Sequence, residues 1–300
     1  MKKSNVIIIS IFLLIFILSM LTIFYIKSNK IENKIIYGEE NIENDKLENN
    51  KKDDVIIEKT ISLKKQIPSS YTAAIPIFMY HWIRYDTGDY MYPENMVKPS
   101  TLEEQIKYLV ENNFEFIYIT DLKYVYEYTK PVALTFDDGW TDVYTDAFPL
   151  AKKYNIKISM YIIKDNVGKN GYCTEEQLKE MQKSGLVDIQ SHTVTHPYLA
   201  DLSYQKQKIE LFESKKYLKD VYNIDSQVIC YPYGSRNENT VELANEAGYT
   251  YGLDMDGGVY YTDVHTNLLK IPRIYANRSM NIDTFANFAN KSKVDVVWEE

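Results

Sequence analysis

Cysteine is scarce in this chain of 300 residues, which contains only Cys173 and Cys230. Two cysteines so far apart in sequence exclude a disulfide-rich scaffold and a zinc site built from thiolates. They could still pair with each other in an oxidising compartment, and the sequence leaves that pairing open.

The chain also lacks an excess of basic residues and lacks phosphate-binding loops. Its 34 lysines and arginines are outnumbered by 42 acidic residues, which gives a formal net charge of -8. Because a polyanion requires a positive surface, we expect no nucleic-acid partner. No Gly-x-Gly-x-x-Gly or phosphate-loop pattern follows a predicted strand, which argues against a nucleotide-binding fold.

One long hydrophobic run lies near the N-terminus, at Val6–Ile26. It has the length that a helix needs to cross a bilayer, and no small-x-small cleavage site follows it. We therefore predict an uncleaved anchor rather than a cleaved signal peptide. The preceding Lys2 and Lys3 favour a cytoplasmic N-terminus with the remainder of the chain outside the cell membrane, although Lys27 and Lys30 weaken this charge asymmetry.

The chain divides into three predicted parts. Residues 1–26 comprise a cytoplasmic tip and the transmembrane anchor. Residues 27–66 are rich in Lys, Glu, Asn and Asp without a sustained period, as is typical of a solvated polar linker. Residues 67–300 contain the folded domain.

Strands and helices alternate about seven times within this domain. Such alternation predicts a single α/β domain with a mainly parallel sheet covered by helices. Its size suits a (β/α) barrel of eight or fewer units, and an open doubly wound sheet is the competing architecture. The predicted strands are Pro76–His81, Phe116–Ile119, Pro131–Phe136, Ile156–Ile163, Val187–Ser191, Gln227–Tyr231, Tyr249–Leu253 and Leu269–Ile274.

Two adjacent carboxylates, Asp137 and Asp138, follow the apolar strand Pro131–Phe136, and Gly139 then permits a tight turn. The carboxyl ends of parallel strands are where α/β folds present side chains to a substrate. An alternative interpretation is that both aspartates merely form a turn and cap the next helix.

Histidine is rare, with only His81, His192, His196 and His265. His192 and His196 follow the strand Val187–Ser191, and a turn of helix would place residues four apart on one face, where both could bind one ion. The alternative is a pair of surface or capping histidines. Because His81, this pair and the aspartates all follow predicted strands, we expect a site of two histidines and one aspartate for zinc or another divalent first-row metal.

Three motifs together resemble a known family. Thr135-Phe-Asp-Asp-Gly139, His192-Thr-Val-Thr-His196 and Tyr231-Pro-Tyr-Gly234 are similar to those of the polysaccharide deacetylases, carbohydrate esterase family 4, with NodB-like domains. The resemblance covers about residues 75 to 290. Ile75-Pro-Ile-Phe-Met-Tyr-His81 further resembles the branch that acts on poly-N-acetylglucosamine, in which the catalytic-acid motif is permuted to the N-terminal side.

The resemblance implies a deformed (β/α) barrel and metal-dependent hydrolysis of N-acetyl groups on glucosamine polymers. It implies that Asp138, His192 and His196 bind the metal, most simply zinc, with cobalt, nickel or manganese as alternatives. Asp137 is the implied general base and the backbone N–H of Tyr233 the oxyanion donor. His81 matches the permuted acid, and His265 is the second candidate for that role.

One position departs from the family pattern. Many members have an arginine two residues before the proline of the third motif, where it tethers the base carboxylate, and this chain has Cys230 there. Either the activity is reduced, or another cationic side chain tethers the base carboxylate. Arg273, in Ile271-Pro-Arg-Ile274, is the candidate replacement, and its alternative role is a structural ion pair at a strand end.

We therefore expect a membrane-anchored, extracytoplasmic polysaccharide N-deacetylase. Exported poly-N-acetylglucosamine is the favoured substrate over the glycan of peptidoglycan. A glycan-binding barrel without turnover is an alternative from another class, motivated by the missing arginine. A metal amidase acting on peptide bonds is the third.

Overall fold

A curled parallel sheet organises the chain in the computed structural model, which describes residues 67–85 and 92–299. The sheet runs β10-β9-β8-β7-β6-β2-β12, and β5 pairs with β6. The strands are, in chain order, β1 (Ser70–Ile75), β2 (Ile77–Tyr80), β3 (Trp82–Ile83), β4 (Met96–Val97), β5 (Glu115–Phe116), β6 (Pro131–Phe136), β7 (Ile158–Ile162), β8 (Val187–Ser191), β9 (Val228–Cys230), β10 (Tyr251–Leu253), β11 (Tyr260–Tyr261), β12 (Ile274–Tyr275) and β13 (Lys293–Val297).

Helices pack against the outer face of this sheet. They are α1 (Pro99–Glu111), α2 (Phe148–Tyr154), α3 (Glu175–Lys183), α4 (Tyr204–Tyr222), α5 (Glu238–Glu246) and α6 (Ile282–Ala289). Short 3₁₀ segments cover Pro93–Asn95, Ile119–Glu127, Lys164–Asn166, Leu199–Asp201 and Pro232–Gly234, and Val143–Ala147 forms a π turn.

The alternation of side chains along a strand separates two cores. In β6, Leu134 and Phe136 join the large apolar cluster shared with the helices, whereas Ala133 joins the cluster inside the barrel. All six residues of β6 are buried, which explains why this strand reads as an unbroken apolar run. The same alternation points Thr135 and then Asp137 inward at the carboxyl end of the strand.

The sheet curls until its two ends meet, as in a barrel. Ile271 bridges to Leu253 of β10, and three residues later Ile274 pairs with Phe78 of β2. The expected α/β barrel is therefore confirmed over the open doubly wound sheet. The prediction of one strand over Leu269–Ile274 is wrong in detail because Pro272 has no N–H for a continuous ladder, and only Ile274–Tyr275 is a strand.

An antiparallel sheet of three strands, β11-β1-β13, lies beside the barrel. Ala73 and Ile75 of β1 belong to the same buried cluster as Ile77 and Ile271 of the barrel and Leu122 of the 3₁₀ segment Ile119–Glu127. This layer therefore closes the amino-terminal end of the barrel, and the opposite, carboxyl end is left for a site.

Two further predicted strands have different bounds in the structure. The strand predicted over Phe116–Ile119 stops at Phe116, because the Asp121 carboxylate accepts a hydrogen bond from the Tyr118 N–H and starts a 3₁₀ segment. The strand predicted from Tyr249 begins only at Tyr251, because the Tyr249 N–H still bonds to Ala244 at the end of α5.

The predicted anchor at Val6–Ile26 and the linker at 27–66 lie outside the described residues. Within residues 67–85 and 92–299, none of the helices combines the length and the hydropathy of a membrane span.

Candidate active site

Asp137 and Arg273 form a buried ion pair at the carboxyl end of the barrel. Arg273 Nη1 lies 2.7 Å from Asp137 Oδ1, and Nη2 lies 2.8 Å from Oδ2. Both side chains are almost inaccessible to solvent. Burial alone would raise the pKa of Asp137, but the charge and hydrogen bonds of Arg273 lower it below its ordinary value. Asp137 is therefore ionised at neutral pH.

Cys230 lies against this ion pair. Arg273 Nη2 is 3.1 Å from the Cys230 sulfur, which is itself 3.4 Å from Asp137 Oδ2. Arg273 therefore reaches, from the opposite end of the sequence, the place that the family arginine would occupy at position 230. Cys173 and Cys230 are both buried and free, so the pairing left open by the sequence does not occur.

Asp138, His192 and His196 converge at the barrel mouth. Asp138 Oδ1 lies 3.4 Å from His192 Nε2 and 3.3 Å from His196 Nε2, and the two imidazole nitrogens are 3.1 Å apart. Three ligand atoms around a zinc ion with bonds of about 2.1 Å would be about 3.4 Å apart in a tetrahedral arrangement. The spacing of this donor set therefore fits a divalent metal ion.

The ring orientation of His192 and the charge of His196 also fit a metal. His192 donates its Nδ1 proton to the carbonyl oxygen of Cys230 at 2.7 Å, which directs Nε2 at the cluster. Burial opposes a charge on this ring, but the contacts with Cys230 and Asp138 raise its pKa well above the ordinary value, so the surroundings of Nε2 favour a positive charge. Burial and the neighbouring His192 lower the pKa of His196 to about 4, so its ring is neutral at neutral pH. Neutral imidazoles are the form that binds metals.

The two histidines are not on a helix, and the expectation of a helical turn is wrong. Residues 192 to 198 form a loop in which Thr193 has φ of 70° and His196 has φ of 62°. Asp138, directly after β6, has φ of 75°, and Tyr233, in the 3₁₀ segment Pro232–Gly234, has φ of 58°. The other described non-glycine residues with positive φ are asparagines, which tolerate this region best, so this concentration of left-handed backbone marks the loops that aim the ligands.

Two neighbouring side chains hold the ligands in place. Trp140 donates its indole N–H to Asp138 Oδ2 at 2.8 Å, so that Oδ1 remains directed at the histidines. Glu210 of α4 accepts hydrogen bonds from the backbone N–H groups of Val194 and Thr195 and from the Thr195 hydroxyl. The sequence did not indicate Glu210, because no local pattern links a helix residue to a loop 15 residues earlier.

His81 lies close to the base, Asp137. Its Nε2 is 4.0 Å from Asp137 Oδ2, and the ring is largely buried against Tyr275. His265 is elsewhere, in the loop after β11, where its Nδ1 accepts a hydrogen bond from the Tyr261 N–H. Of the two candidate acids, the structure places only His81 beside Asp137.

The site opens into a cavity of about 670 Å³. Asp137, Asp138, His192, His196 and His81 all line it. Most of the remaining wall is aromatic, which the sequence did not reveal because these rings come from separate loops. The aromatic wall residues are Trp82, Tyr92, Trp140, Tyr172, Tyr198, Tyr233 and Tyr275.

Residues 126–252 match the sequence profile described as polysaccharide deacetylase. This range includes the base, the three metal-ligand candidates and Cys230, but His81 and Arg273 lie outside it.

Similar sequences carry related names. The chain is 31% identical over 232 residues to "Putative polysaccharide deacetylase YxkH" of Bacillus subtilis, an alignment that covers 76% of this chain and 80% of the relative. It is 29% identical over 197 residues to a poly-beta-1,6-N-acetyl-D-glucosamine N-deacetylase of Staphylococcus aureus, with 59% of this chain and 67% of the relative covered.

Solved structures share the fold. The deacetylase PplD of Streptococcus pyogenes, determined in complex with acetate, superimposes with a TM-score of 0.67 at 28% identity and covers 74% of this chain and 99% of its own. The polysaccharide deacetylase BC0361 of Bacillus cereus gives a TM-score of 0.68 at 26% identity, with 73% and 69% covered.

Proposed function

The chain belongs to the polysaccharide deacetylase family and is an enzyme of that family, and from this we propose that it removes N-acetyl groups from N-acetylglucosamine-containing polysaccharide at the cell surface. The reaction is hydrolysis of the acetamide, which releases acetate and leaves a free amine on the sugar. Exported poly-N-acetylglucosamine is the favoured polymer.

One observation carries this proposal: an ionised carboxylate stands beside a separate cluster of three metal ligands. Asp137 is held by Arg273, whereas Asp138 faces His192 and His196. A module that only bound glycan would not need a second, separately held carboxylate next to a metal site. The arrangement of base and ligands is that of a hydrolase.

We infer that Asp138, His192 and His196 hold a divalent metal ion, most simply zinc, with cobalt, nickel or manganese as alternatives. When bound, such an ion supplies Lewis-acid activation of the acetamide carbonyl and of a water molecule. The Cys230 carbonyl and Trp140 keep the donor atoms of His192 and Asp138 oriented for it.

The proton transfers fall to two neighbouring side chains, Asp137 and His81. Asp137 accepts the proton of the attacking water, and Arg273 keeps this carboxylate ionised and fixed in direction. His81, 4.0 Å away, donates a proton to the departing amine nitrogen. The backbone N–H of Tyr233 is the proposed donor to the developing oxyanion.

The choice of polymer rests on two observations. The Staphylococcus aureus relative is named as acting on poly-beta-1,6-N-acetyl-D-glucosamine. In this chain the candidate acid, His81, precedes the Asp137-Asp138 pair in sequence, as in the branch that the stretch around His81 resembles. The competing substrate is the glycan of peptidoglycan.

We also propose that the domain works outside the cell membrane, anchored through Val6–Ile26. The apolar length of this run and the basic residues before it support this placement. Fractionation of cells and protease accessibility of a C-terminal tag would test it. A domain resistant to external protease in spheroplasts would contradict it.

The central experiment measures acetate release by residues 67–300 from β-1,6- and β-1,4-linked N-acetylglucosamine oligomers and from wall glycan. We expect the fastest release from the β-1,6 oligomers, loss of release after chelation, and recovery on adding back zinc or cobalt. Release from wall glycan alone would redirect the proposal to peptidoglycan. No release with any metal would support a glycan-binding barrel.

A further inference from the structure

Tyr198 and Tyr233 form a stacked pair at the rim of the cavity. Their ring centroids are 4.0 Å apart and the rings are nearly parallel, at 9°. Tyr198 is 52% exposed and Tyr233 is 43% exposed. Two large aromatic rings stacked on each other but left half in solvent add little to the core, so this surface calls for another explanation.

The pair is fixed next to the metal-ligand cluster. The Tyr233 ring packs edge-on against His196, with centroids 4.6 Å apart. Tyr198 follows His196 by two residues, with Pro197 between them restricting the backbone. Both tyrosines line the same cavity as Asp137 and His192.

The second stacked pair of this cavity has a different surrounding. Trp140 and Tyr172 lie 4.2 Å apart at 21°. The indole N–H of Trp140 is already used by Asp138, and both rings are less exposed than those of Tyr198 and Tyr233. The Trp140–Tyr172 pair therefore positions the metal-ligand candidate Asp138. The Tyr198–Tyr233 pair instead leaves aromatic ring surface exposed to solvent.

We propose that Tyr198, supported by Tyr233, is a stacking platform for a sugar ring next to the one that loses its acetyl group. This inference rests on the proposed function and extends it. The apolar C–H face of a pyranose suits an exposed aromatic ring, and the acetamide of the neighbouring sugar then reaches the cluster beside the platform. The platform makes the enzyme select oligomers over single sugars.

The experiment compares kcat/KM for a pentamer and for a single N-acetylglucosamine in wild type, Tyr198→Ala and Tyr198→Phe. A contact of this kind corresponds to roughly a three- to tenfold change in affinity. We expect Tyr198→Ala to lower the ratio of pentamer to monomer kcat/KM by that factor, mainly through KM, and Tyr198→Phe to restore it. An unchanged ratio in Tyr198→Ala would overturn the platform.

Two controls separate the possible failures. Tyr124→Ala removes an exposed tyrosine of the 3₁₀ segment Ile119–Glu127, outside the cavity, and should leave the ratio as in wild type. Bound metal is measured in each variant to show that His196 is undisturbed.

If wild type releases no acetate at all, the proposed function fails. Calorimetric binding of the pentamer to wild type and to Tyr198→Ala then tests the platform by itself. Equal binding would then refute it.

Discussion

Arg273 and Asp137 are 136 positions apart in sequence and meet through two parallel hydrogen bonds inside the barrel. A planar guanidinium matches a carboxylate in this way, and a lysine could not. The arginine neutralises a carboxylate that is 2% exposed and directs it at the cavity. It also explains how a chain with Cys230 at the family arginine position can retain a tethered base.

Replacing Arg273 by Leu should move the pH dependence of activity. Burial raises the pKa of Asp137 and Arg273 lowers it, so without the guanidinium the carboxylate protonates at higher pH. The acidic limb of the kcat/KM profile should therefore shift upward, with the loss greatest at low pH. Arg273→Leu should also destabilise the fold by about 3–5 kcal/mol, since it leaves a buried charge unpaired. An acidic limb at the wild-type pH would argue for a purely structural arginine.

Moving the arginine back to position 230 should restore part of the lost activity. The Cys230 sulfur and Arg273 Nη2 are 3.1 Å apart, so a guanidinium from either position can reach Asp137, but both cannot be accommodated. We expect Cys230→Arg alone to destabilise the protein and Cys230→Arg combined with Arg273→Ala to be more active than Arg273→Ala. Urea unfolding and acetate release measure the two effects. A double variant no better than Arg273→Ala would contradict the exchange of tether positions.

Asp137→Asn should separate catalysis from metal binding. The amide keeps the shape of the side chain but cannot take a proton, so kcat should fall by about 10²–10⁴-fold. Metal content, measured by plasma emission spectroscopy, should stay at the wild-type level, whereas His192→Ala should lose both metal and activity. Turnover near wild type in Asp137→Asn would remove this residue from the role of base.

His81→Ala tests the assignment of the acid, with His265→Ala as its matched control. His81 lies 4.0 Å from Asp137, whereas His265 bonds to the backbone of Tyr261 outside the cavity. We expect kcat to fall about 10²-fold or more in His81→Ala with unchanged metal content, and wild-type kinetics in His265→Ala. The reverse pattern would transfer the role to His265.

Glu210→Ala should weaken metal binding although Glu210 does not face the cluster. Its carboxylate holds the backbone of Val194 and Thr195, and thereby the loop that carries both histidines. Loss of a supporting residue of this kind typically costs about 10–100-fold in metal affinity. Metal affinity is measured by competition with a chromophoric chelator. The control variant is Glu213→Ala, which changes an exposed residue of the same helix. Equal affinities in the two variants would assign Glu210 to stability only.

Much of the site lay within reach of sequence reasoning because its residues directly follow apolar strands. Asp137, Asp138 and His192 lie at the carboxyl ends of β6 and β8, which brings them to one edge of a parallel sheet. The spacing of His192 and His196 suggested the right pair for the wrong reason, since a left-handed loop rather than a helix brings them together. Their roles in metal binding and catalysis remain predictions for the experiments above.

The sequence by itself determined the alternation of strands and helices and which reactive side chains end the strands, because both follow from patterns a few residues long. Only the tertiary structure decided that Arg273 meets Asp137 beside Cys230, that Glu210 supports the histidine loop and that Tyr198 stacks on Tyr233. These contacts depend on how far each strand is staggered along its neighbours and on where the sheet closes between Leu253 and Ile271. Stagger and closure are set by the packing of the whole barrel, and no local pattern encodes them.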